Sequence, residues 1–119
     1  MLDLEQICTI SVNALEDVKG DNIVVIDTHE LSPLFSRMVV CTGSSNRQVK
    51  ALANNVIEEY KKNGIDIVGV EGEAGGEWVL VDCGDVVVHI MLPQVRNYYD
   101  LESLWNGQRP AWENAGMAE

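Results

Sequence analysis

Residues 77–91 read E-W-V-L-V-D-C-G-D-V-V-V-H-I-M. Two runs of β-formers flank Asp82-Cys83-Gly84-Asp85, and a glycine in a short break between such runs marks a tight hairpin. A two-residue loop at Cys83-Gly84 sets Asp82 opposite Asp85, Leu80 opposite Val87 and Trp78 opposite His89. Side chains alternate along each strand, so the two faces follow directly. One carries Val79, Val81, Val86, Val88 and Ile90, β-branched aliphatics suited to a core. The other carries Trp78, Leu80, Asp82, Asp85, Val87, His89 and Met91. Large apolar groups mixed with carboxylates and an imidazole suit a water-exposed recognition surface.

Working outward, residues 3–19 read as an amphipathic helix, with Leu4, Ile7, Cys8, Ser11, Ala14, Leu15 and Val18 on one face and Gly20 as its stop. Asn22–Thr28 and Ser36–Thr42 read as strands from their β-branched content, with Ser32-Pro33 opening the connection between them. Ser45 and Gln48 fit an S-x-x-Q capping box. Behind them Val49, Leu52, Ala53, Val56, Ile57 and Tyr60 form a helical stripe that stops at Asn63-Gly64. Ile65–Val70 reads as a further strand, followed by the acidic loop 71–76 and then the hairpin. After Pro93, residues 94–105 read as a last helix with Val95, Tyr98, Leu101, Leu104 and Trp105 at its apolar positions.

The order is α-β-β-α-β-β-β-α. A strand, helix and strand in the middle calls for a right-handed parallel crossover, while the hairpin is antiparallel. The expected fold is α/β: a mixed five-stranded sheet with flanking helices in one domain over residues 1–105. Residues 106–119 lack periodicity and read as a loose tail, in which Trp112 is the residue that could dock.

Composition narrows the function. Eight Lys and Arg against nineteen Asp and Glu give a formal net charge of −11. Non-specific affinity for nucleic acid comes from neutralising phosphates with Lys and Arg, so strong direct binding to DNA or RNA is not expected. A basic protein surface is the better match. No run approaches the ~18–20 apolar residues of a membrane span, and the opening residues carry no basic or Arg-rich leader. Three scattered cysteines (Cys8, Cys41 and Cys83) suit a reducing compartment. A cytoplasmic protein is expected.

The candidate chemical sites are thin. Thr42-Gly43-Ser44-Ser45 joins a strand to a helix N-terminus, a geometry that binds phosphate elsewhere. It lacks the lysine and spacing of a P-loop, and capping alone accounts for both serines. Asp82 and Asp85 could hold Mg²⁺ as paired carboxylates, although aspartates are also ordinary turn formers. His29 and His89 match no zinc spacing, and neither has a serine or cysteine nucleophile beside it in sequence. No cofactor or resident metal is implied. Trp78, Tyr98, Tyr99 and Trp105 carry more weight as a group, because aromatics are enriched at interface centres. Consecutive tyrosines on a helix diverge by roughly 100°, so both cannot face one core.

These segments resemble the ribosomal silencing factor, or Iojap, family. The resemblance rests on V-C-T-G-S-S-N-R-Q-V at Val40–Val49, G-V-E-G-E at Gly69–Glu73, the hairpin from Trp78 to Met91, and R-N-Y-Y-D-L-E-S-L-W at Arg96–Trp105. It implies a fold related to nucleotidyltransferases, without established catalysis. It also implies docking on ribosomal protein fourteen of the large subunit, where the protein sterically blocks joining of the small subunit and represses translation when nutrients are scarce. Some members take part in ribosome biogenesis. Carried over by position, Trp78, Leu80, Asp82, Asp85, Val87, His89 and Met91 form the docking surface, with Tyr98 and Tyr99 beside it. The tail after Trp105 matches no family motif. Two alternatives stand beside this reading: a nucleotidyltransferase-like metal-dependent enzyme using Asp82 and Asp85, and a self-associating regulator that forms a homodimer when free.

Overall fold

The computed structural model describes residues 2–28 and 36–99. In chain order the elements are α1 (Leu4–Asp17), β1 (Asp21–Asp27), β2 (Arg37–Thr42), α2 (Asn46–Lys62), β3 (Gly69–Glu71), β4 (Trp78–Asp82), β5 (Val86–Met91) and α3 (Pro93–Tyr99). The order and types match the sequence reading. His29, the Ser32-Pro33 connection, the expected continuation of the last helix through Trp105, and the tail 106–119 lie outside the described residues.

The strands form one five-stranded sheet in the order β1-β2-β5-β4-β3. β2 pairs parallel with β5, and the other three pairings are antiparallel. The connection through α2 therefore joins β2 to β3 across two intervening strands, and β5 lies at the centre. A central strand meets neighbours on both sides, and all six residues of β5 are buried.

Helices α1 and α2 cover one face. Leu15, Val49, Leu52, Val56 and Tyr60 pack there against Val79, Val81, Val86, Val88 and Ile90, the hairpin residues expected to form the core, and against Val39 and Cys41 of β2. Each fully buried aliphatic of this kind stabilises the fold by roughly 1.5–3 kcal/mol. Ser11 Oγ and Tyr60 OH, both fully buried, lie 2.5 Å apart and join the two helices by a hydrogen bond. A smaller cluster of Ile26, Met38, Val40 and Met91, with Val24, Trp78 and Val95 against it, occupies the opposite face.

Helix starts follow local chemistry, with one reassignment. Ser45 caps α2 by accepting from the Gln48 backbone N–H at 3.1 Å, but the reciprocal half of the expected box is absent. The Gln48 side-chain oxygen accepts instead from Ser44 N (2.6 Å) and Ser44 Oγ (2.8 Å). Its amide donates to the Val18 and Lys19 carbonyls at the end of α1. The complete capping box belongs to α1, where Asp3 and Gln6 satisfy each other's backbone N–H at 2.8 and 2.9 Å.

The expected strand over Ile65–Val70 is shorter and later. Ile65 N donates back to the Tyr60 carbonyl at the helix end, and Ile65 and Ile67 lean on the core cluster. Ladder pairing with β4 runs only from Gly69 to Glu71.

Candidate functional site

The hairpin register differs from the sequence reading. Trp78 pairs with Met91, Leu80 with His89 and Asp82 with Val87. Cys83 N donates to the Val86 carbonyl at 3.1 Å, so the two-residue loop is Gly84-Asp85. Two local features fix it. Gly84 takes φ +101° at the first loop position, which strongly favours glycine. Asp82 Oδ1 also accepts from Gly84 N at 2.8 Å, an Asx turn. Asp82 and Asp85 are therefore not opposite each other. The slip shifts pairing by two residues, so the strand residues keep their faces while Asp85 leaves its face for the loop; a shift of one would have exchanged the faces.

The face bearing Trp78, Leu80, Asp82, Val87, His89 and Met91 is not uniformly open to water. Val87 and His89 are 6% and 7% exposed, and Met91 is fully buried. The expectation of water exposure is corrected for these three. They sit on the central strand beside Met38, Val40 and Thr42 of β2, and Val95 of α3 joins the cluster that contains Met91. On β4, one strand nearer the edge, Trp78, Leu80 and Asp82 are half-buried. Asp85 is exposed in the loop.

Trp78 and His89 are linked directly. The indole Nε1–H donates to His89 Nδ1 at 2.9 Å, with ring centroids 5.8 Å apart and planes tilted by 49°. Burial pushes the imidazole pKa down to about 4, so it is neutral at physiological pH. Since Nδ1 accepts, the proton resides on Nε2. His89 is thus a fixed hydrogen-bond acceptor that orients the indole.

Tyr98, on α3, is 76% exposed. Tyr99 is the last residue of the same helix. Other groups are chemically quiet. Burial pushes the Cys41 thiol up to about 11 and raises those of Cys8 and Cys83, which keeps them protonated and poorly nucleophilic near neutral pH. The Asp82 carboxylate is engaged in its turn. Among the described residues no group of three or more His, Cys, Asp or Glu is placed to hold a metal ion, and no helix is long and apolar enough to cross a membrane. One contributor went unread in the sequence: Arg96, whose buried guanidinium bonds the Asn22 carbonyl and Thr42 Oγ1.

A family model described as "Ribosomal silencing factor during starvation" matches residues 2–118. The chain belongs to the ribosomal silencing factor family. It is 58% identical over 111 residues to the ribosomal silencing factor RsfS of Chromobacterium violaceum, covering 93% of this chain and 91% of that one. Identity to the RsfS of Haemophilus influenzae is 43% over 94 residues, covering 79% and 92%. The crystal structure of a C. violaceum protein, 58% identical, superposes with a TM-score of 0.88 over 92% of each chain. This chain's fold is thus a mixed five-stranded sheet flanked by helices, shared with that structure, and in this chain the Trp78–His89 pair lies on the sheet face opposite α1 and α2.

Proposed function

We propose that this silencing factor docks on ribosomal protein fourteen of the large subunit and blocks joining of the small subunit, repressing translation when nutrients are scarce. The docking surface centres on Trp78, Leu80, Asp82 and Asp85 of the hairpin, with Tyr98 and Tyr99 of α3 beside them. Val87, His89 and Met91 lie beneath as its support. The observation that carries this reading is the Trp78–His89 bond: a half-buried indole is held in one orientation by a neutral imidazole on the sheet. A rigid aromatic anchor loses little entropy on binding, and such residues dominate interface energetics.

Charge supports the same partner. A chain with net charge −11 is attracted to a basic ribosomal protein and repelled by bare phosphate. A steric plug requires no chemistry; burying something like 800 Å² on each side suffices for a specific interface. The site of action is the cytoplasm, where subunits join.

Light scattering of mixed ribosomal subunits tests this. Added protein should suppress the joining signal in proportion to its occupancy of the large subunit, and Trp78→Ala should restore joining. Full suppression by Trp78→Ala at wild-type concentrations would remove the hairpin from the docking surface.

A further inference from the structure

The short third helix is held to the sheet by a buried cation. Arg96 is 8% exposed, and its Nη1 donates to the Asn22 carbonyl on β1 at 2.6 Å and to Thr42 Oγ1 at the end of β2 at 2.8 Å. One side chain thus ties α3 to two strands that precede it by 74 and 54 residues in sequence. The acceptor on β1 is itself prepared. Asn22 adopts φ +48°, and the β1–β2 register breaks between Asp21 and Val24, an irregularity that disrupts the ladder locally.

Burying a guanidinium is costly unless its donors are satisfied. A seven-residue helix has little cohesion of its own, and Val95 already supplies apolar contact with both clusters. An apolar side chain at position 96 would give adhesion at lower desolvation cost. What the planar, many-donor guanidinium adds is direction. Two residues further on stands Tyr98, a large side chain held 76% in water.

We infer that Arg96 is a positioning residue for partner binding: it fixes the seat of α3 on β1 and β2, and so the place of Tyr98 relative to Trp78. The inference rests on the docking reading above. A merely structural Arg96 would contribute stability alone, and its removal would leave the contribution of Tyr98 to binding unchanged.

The test is a double-mutant cycle read as affinity for purified large subunits, alongside amide hydrogen exchange of the free protein. In the wild-type background Tyr98→Ala should weaken binding tenfold or more. Arg96→Met should do the same, speed exchange of the Val95–Tyr99 amides at least tenfold, and leave those of β2 and β5 protected. In the Arg96→Met background Tyr98→Ala should cost less than threefold, because the ring is no longer held where it binds. Arg96→Lys, which retains one contact, should recover part of the affinity. Should Arg96→Met fail to fold, Thr42→Val removes one acceptor with little change of shape, and should show the same coupling at about threefold. An equal cost of Tyr98→Ala with and without the Arg96 contacts would overturn the inference. If Trp78→Ala and Tyr98→Ala both bind as wild type, the docking reading itself falls, and the positioning role with it.

Discussion

Trp78 Nε1–H can donate to His89 Nδ1 only while that nitrogen is unprotonated. The folded imidazole titrates near 4 and the unfolded one near 6.5. Between those values the unfolded chain binds more protons, so stability falls as pH drops through that window and is unaffected by His89 above it. The loss between pH 7.5 and pH 5 amounts to ~2 kcal/mol for a shift of this size. Urea denaturation at both pH values should show His89→Asn losing less stability than wild type by about that amount; parallel losses would contradict the burial of His89. The same pair governs docking. Trp78→Ala should weaken large-subunit binding by ~2 kcal/mol or more while the far-UV circular dichroism spectrum stays unchanged. Wild-type affinity in that variant would show that the indole is not an anchor.

Ahead of the hairpin, β4 is entered past Gly72, which takes φ +87° and whose added Cβ would collide with the Trp78 carbonyl oxygen. Gly72→Ala should therefore destabilise by ~2 kcal/mol and shift Trp78 fluorescence, both measurable in one thermal scan; an unchanged melt would contradict so close an approach. Periodicity made most elements legible: the helical stripe from Val49 to Tyr60 and the division of the hairpin into two faces both hold. Register was not legible, because Cys83-Gly84 and Gly84-Asp85 are both credible loops until the Asx bond of Asp82 chooses between them. The complete capping box of α1 is legible as Asp3 followed three residues later by Gln6. Burial of Val87, His89 and Met91 had no local signal, since it follows from β5 pairing with β2, some fifty residues earlier. Arg96 was hidden for the same reason: its acceptors come from β1 and β2.

At the scale of the whole molecule, the net charge of −11 bears on how fast the protein finds its partner. Steering by an acidic surface toward a basic one predicts association that slows steeply as salt rises, with dissociation little changed. Stopped-flow mixing with large subunits across a salt series checks this, and a flat association rate would exclude steering. The central claim, that this chain is a plug for one subunit, is tested most directly by sedimenting it with separated large and small ribosomal subunits, wild type beside Trp78→Ala. The account predicts that wild type pellets with the large subunit and not the small, and that the variant stays in the supernatant. Wild type that pellets with neither subunit, or equally with both, would contradict it.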